Sequence, residues 1–158
     1  LKVGLNFLFS AMGIDMYTDV LELMPYVQND GAAMISTAKM INRYLETRDD
    51  VLLPPRIDAI VLQNVLQWLK SDNLDIRYCA TKILLALARN SENESVVNHQ
   101  LLNLTDSECA HIKAHILRKI GKAKGISDKT KSYIFSKCEN GSCYVVRMVC
   151  QEEMAAES

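Results

Sequence analysis

The sequence predicts an all-α chain, a superhelix of about four stacked antiparallel helix pairs. Three observations predict it. Apolar residues recur at three- and four-residue spacing through most of the chain, and no alternating strand pattern interrupts them. The segments are separated by polar turns of roughly 2–8 residues, the length that joins antiparallel helical neighbours. Finally, an aliphatic residue followed at once by a cation recurs near the start of three apolar segments. These are Ile76-Arg77, Ile112-Lys113 and Val146-Arg147, with spacings of 36 and 34 residues. A period of that size marks a repeated helical hairpin whose copies cover one another's apolar flanks.

Residues 1–12 read as a helix ended by Gly13. A second helix reaches Val27, with Pro25 placed to kink or shorten it. Asn29-Asp30-Gly31 is a turn, and residues 33–45 follow as an amphipathic helix on Met34, Ala38, Ile41 and Leu45. Arg48-Asp49-Asp50 and Pro54-Pro55 mark a longer connection, with Pro55 suited to a first helical turn. Residues 57–69 are apolar nearly all round, which requires neighbours on several sides. After the turn Ser71-Asp72-Asn73, residues 75–89 form a helix on Ile76, Ala80, Ile83, Leu84 and Leu87. Residues 96–104 make a shorter, weaker helix. Thr105 and Glu108 have capping-box spacing, so a helix should start at Asp106. Its stripe is Cys109, Ile112, Ile116 and Ile120, and Gly121 or Gly125 ends it. Ser127-Asp128 caps a helix through Lys137, Asn140-Gly141 is a turn, and Tyr144 opens a last helix. Beyond Cys150 that helix should fade into a frayed acidic tail over residues 151–158.

Composition bounds the rest. The chain has 158 residues, enough for one domain with its own core, and 23% of them are charged, an ordinary globular balance. Its six glycines and three prolines can build few turns, which favours long helices. No apolar run approaches the ~18 residues that span a bilayer. The chain opens without a methionine, so residues 1–158 read as a single repeat domain cut from something longer. Residues 1–13 would then be an orphaned end helix, open to self-association. The odd count of five cysteines, four of them in helical patterns, argues for reduced thiols in a cytoplasmic protein rather than a disulfide scaffold.

Net charge is −1, but residues 111–137 hold eight cations and one acid. On that helix His111, His115, Arg118 and Lys122 share the face opposite the isoleucines, with Lys119 beside them. Such a ridge could hold an acidic segment of a partner protein, or phosphate. It is also what a solvated helix face carries. Nucleic acid fits less well because the ridge lacks interleaved aromatic residues. Arg77 lies at the edge of the stripe of Ile76, Ala80 and Leu84, while Lys113 falls inside the arc of Cys109, Ile116 and Ile120. A cation so placed must snorkel or pair. Arg77, Lys113 and Arg147 therefore read as a ladder between successive repeats, using acids or carbonyls of neighbouring turns.

No catalytic group, metal or cofactor is expected. His111 and His115 are four apart but lack an intervening glutamate, and Lys113 and Arg118 would repel a metal ion. Cys138 and Cys143 frame a turn without a second ligand pair. No serine or cysteine sits in a strained glycine-flanked elbow, and no glycine-rich loop cradles phosphate. Trp68 could mark an interface with Tyr44 and Tyr78, but its all-apolar helix suggests core.

These motifs resemble HEAT repeats, within the armadillo/HEAT class. The proline after a leucine pair resembles Leu23-Met24-Pro25, followed by Asn29-Asp30. The turn and second-helix opening resemble Asp72-Asn73, then Asp75-Ile76-Arg77 with Ala80. Looser copies are Ile112-Lys113 with Ile116, and Val146-Arg147 with Cys150. In the first hairpin Met34 and Ala38 align, but Ile35 stands where the cation belongs. The resemblance covers roughly residues 15–150. It implies a right-handed stack of helix pairs serving as a protein-binding scaffold without enzymatic activity. The same class contains HEAT-like DNA glycosylases, the rival expectation. The net charge and single tryptophan argue against that rival.

Overall fold

A computed structural model describes residues 31–46 and 52–157. The helices expected over residues 1–12 and up to Val27, and the segment around residues 48–50, lie outside the described residues. Within them the chain is all-α, with seven α-helices, one 3-10 turn and no strand. The helices are α1 (Gly31–Glu46), α2 (Pro55–Trp68), α3 (Leu74–Leu87), α4 (Glu94–Ser107), α5 (Ala110–Ile120), α6 (Asp128–Glu139) and α7 (Tyr144–Glu157). Chain contacts divide the molecule into two compact units, Leu1–Ala86 and Leu87–Ser158.

In the first unit, α1 buries Ala38, Ile41 and Leu45 along one stripe, as its spacing requires. Helix α2 starts with Pro55 at its first position, where the missing N–H has no helical partner to lose. It buries Ile57, Val61, Val65 and Trp68, and none of its large apolar residues is exposed. Trp68 is therefore core. Helix α3 begins where Asn73 Oδ1 accepts the N–H groups of Asp75 and Ile76, at 2.9 and 3.3 Å. That cap satisfies two of the donors left open at a helix start.

The second unit opens on the 3-10 turn Ser91–Asn93, where buried Asn93 donates to Leu87 O at 3.1 Å. Helix α4 packs on α6 and α5 on α7, while α6 and α7 pair across the turn at residues 140–143. Packing of first helix on first and second on second is what stacked hairpins require. Gly121, just past α5, keeps right-handed helical angles, and the left-handed conformation falls instead at Gly125 (φ +79°). Asn98 of α4 holds this loop. Its amide donates to Gly125 O at 3.2 Å, and its Oδ1 accepts Ser127 N–H at 3.1 Å. Ser127 in turn caps α6 by accepting Thr130 N–H at 3.1 Å, as expected.

One expectation is corrected. The capping box at Thr105 and Glu108 does not form, because α4 runs on to Ser107 and the Thr105 hydroxyl donates back to Leu101 O at 2.8 Å. Helix α5 starts later, with Cys109 as its N-cap residue and Glu108 accepting the Cys109 N–H. The acidic segment from residue 151 is part of α7, which is helical through Glu157. Its glutamates, Met154 and paired alanines are good helix formers. The Glu157 carboxylate also lies against Gly121 at the end of α5.

Candidate functional site

Helix α5 has two chemically distinct faces. Ile112, Ile116 and Ile120, flanked by Ala114 and Leu117, are buried. On the other side His111, Arg118 and Lys119 are exposed and His115 is half-buried, while Lys122, also exposed, stands in the turn beyond Ile120 and not on the helix where the spacing put it. The apolar spacing produces this division, because burial of the isoleucine stripe turns the remaining side chains outward. Arg118 and Lys119 stand in the last turn, where the helix dipole favours positive charge.

The eight cations of residues 111–137 divide by role. Lys131 donates to Gly121 O at 3.3 Å, beyond the end of α5. Lys137 lies 3.7 Å from Asp106 and over the Tyr133 ring. Lys113 is half-buried. Arg118, Lys119 and Lys122, by contrast, make no ion pair among the described residues. Their charge is available to a partner, and the low dielectric of the apolar face behind them sharpens the field they present.

The three recurring cations fall on one helical position. Arg77, Lys113 and Arg147 are each fourth in their helix, and each amide donates to the residue before the helix, at 3.1, 3.1 and 3.0 Å. The preceding Ile76, Ile112 and Val146 are buried, as are Ala80, Ile116 and Cys150 further on. Arg77 donates a guanidinium hydrogen to Ser71 O at 3.0 Å, and Arg147 does the same to Gly141 O at 2.8 Å. Both bonds reach six residues back and close the turn of the cation's own hairpin. They fasten a hairpin within itself, where the sequence suggested a rung between repeats. Lys113 lies against the following hairpin. With Asp106, Cys138, Ser142 and Cys143 it lines an open cavity of about 220 Å³. Arg147→Ala should cost about 1–2 kcal/mol, the worth of a partly exposed charge-assisted hydrogen bond. Arg147→Lys should recover only part of it. Urea unfolding of the two variants checks both values.

The thiols are structural on one side and open on the other. Cys79, Cys138 and Cys150 are buried and Cys109 and Cys143 exposed, all five of them free. Burial pushes the Cys79 and Cys138 thiols above their ordinary range. It pushes Cys150, which donates to Phe135 O at 3.3 Å, from 9.0 up to about 11. A thiol reagent at neutral pH should therefore modify two cysteines quickly and three only on unfolding. Between pH 9.0 and about 11 the unfolded chain releases the Cys150 proton while the folded chain keeps it. The unfolded state then binds fewer protons, so stability falls as pH rises through that window. Unfolding midpoints taken across it check the sign.

Among the described residues no group of three or more histidines, cysteines or acids is placed to hold a metal ion, His111 and His115 included. No described helix is long and apolar enough to cross a membrane. Sequence reasoning missed the exposed apolar residues at the start of α7: Tyr144 (68% exposed), Val145 (51%) and Met148 (41%). The repeat register could have found them, since Val145 stands 34 residues after His111, the spacing of the repeat itself. Comparisons of the chain with protein-family models, with curated proteins and with solved structures find no match.

Proposed function

We propose that this chain is a non-enzymatic repeat scaffold of the HEAT-like kind, and that the exposed face of α5 captures an acidic segment of a partner protein. One observation carries the reading. Arg118 and Lys119 project from a helix whose opposite face is locked into the core, Lys122 follows in the turn just beyond it, and all three lack ion-pair partners among the described residues. A rigid element holding several unsatisfied charges of one sign loses little entropy on binding an oppositely charged chain. His111 and His115 extend the ridge toward the start of the helix. The shared local geometry of Arg77 and Arg147 supports the repeat reading. A cytoplasmic setting is part of the proposal, since it would keep five free thiols reduced.

The same cations could meet nucleic acid, but α5 has no Phe, Tyr or Trp to stack a base. The experiment uses immobilised poly-glutamate and the double variant Arg118→Glu with Lys122→Glu. Capture should fall at least tenfold while the far-ultraviolet helical signal is unchanged. Capture equal to wild type would reject the ridge as the site. Salt-dependent retention on duplex DNA, with none on poly-glutamate, would favour the nucleic-acid reading.

A further inference from the structure

The ridge has a continuation. Helices α5 and α7 pack together. They are in contact at both ends: Lys113 shares a cavity wall with Cys143 and Val146, and Glu157 lies on Gly121. The two helices therefore run in the same direction, with equivalent positions 34 residues apart. At that offset His111 and Arg118 correspond to Val145 and Glu152. With ~100° per residue, those α7 residues face the same way as the ridge. The surface thus changes character from one helix to the next. On α5 it is cationic. On α7 it opens with Val145, flanked by the exposed side chains of Tyr144 and Met148, and two turns later it carries Glu152.

We propose that the partner of the α5 ridge is a segment in which acidic residues are accompanied by an apolar one, the acids lying on α5 and the apolar side chain on Val145 and Met148 of α7. The inference rests on the reading of α5 as a partner surface and adds the chemistry and direction of what binds there. Charge complementarity fixes the acidic end, because Arg118, Lys119 and Lys122 attract carboxylates. Glu152, at the level of Arg118, repels them from α7 and keeps the acids on α5. At the other end of the two helices the exposed side chains of Val145 and Met148 gain by leaving water. Spacing follows from geometry. Neighbouring axes lie ~8–10 Å apart, and the seven residues from His111 to Arg118 rise ~10 Å, a diagonal of about 14 Å. An extended segment of ~3.3 Å per residue covers this in about four residues.

The test uses the chain as it stands and two synthetic probes of equal length. One carries a run of glutamates, and the other carries the same run with a leucine four residues from its centre. The leucine probe should bind at least tenfold more tightly. Val145→Ser with Met148→Ser, both at exposed positions, should erase that advantage and leave the all-glutamate probe unchanged. Equal binding of both probes to the wild-type chain would overturn the inference and leave the α5 reading standing. A leucine advantage that survives the double serine variant would overturn the placement on α7. A wild-type dimer at probe concentrations that the serine variant dissociates would also overturn it, since a second copy would then occupy the patch. Failure of both probes to bind would remove the α5 reading and this inference together. In every arm Arg118→Glu with Lys122→Glu reports on the ridge alone.

Discussion

Gly125→Ala should lower the stability of the Leu87–Ser158 unit by about 3 kcal/mol or more, a large share of what a small domain possesses. Two costs add. A φ of +79° is strained for any residue with a β-carbon, by ~1–2 kcal/mol. An added β-carbon would also be driven into the carbonyl oxygen of Ala88, which is backbone and has no rotamer to change. The loop would have to move, which would disturb the bonds from Asn98 to Gly125 and Ser127. Gly141→Ala is the matched control. Its φ is not positive, and the nearest atom to a new β-carbon is Lys137 O at 3.3 Å, so the expected cost is under about 1 kcal/mol. Chemical denaturation of both variants checks the contrast, and equal losses would contradict it.

Ile116→Ala should cost roughly 2–5 kcal/mol, the range for removing a fully buried branched side chain from a packed site. Ile116 is 1% exposed and sits between Ile112 and Ile120 in the same stripe. Arg118→Ala, two residues on and on the opposite face, should change stability by no more than about 0.5 kcal/mol. The pair separates the two faces of one helix. Below its melting temperature the Ile116 variant should keep its affinity for an acidic probe, and the Arg118 variant should lose affinity while keeping its stability. Thermal melts read alongside a binding titration measure both quantities.

The helices were legible because their signals are local. Ile76-Arg77, Ile112-Lys113 and Val146-Arg147 mark the third and fourth residues of α3, α5 and α7, since each follows a turn by the same short distance. The two faces of α5 could be read from the isoleucine spacing alone. Boundaries were less legible where two local signals compete. Thr105 can cap a helix or bond back within one, and the continuation of α4 decided for Leu101 O. The tail over residues 151–157 is acidic yet made of helix formers, and the space above Gly121 gives Glu157 a place to pack. Tertiary facts were not legible. The need for glycine at position 125 comes from the approach of Ala88, 37 residues away in the chain. That Lys113 lines a cavity with the next hairpin, where Arg77 and Arg147 close their own turns, depends on where α6 and α7 lie.

The ridge itself is most directly tested by mapping amide chemical shifts during titration with a short oligo-glutamate peptide. The account predicts changes gathered on His111, His115, Arg118, Lys119 and Lys122, with the buried isoleucines of α5 silent. Shifts centred on α1 or α2, or spread evenly over all exposed lysines, would contradict it.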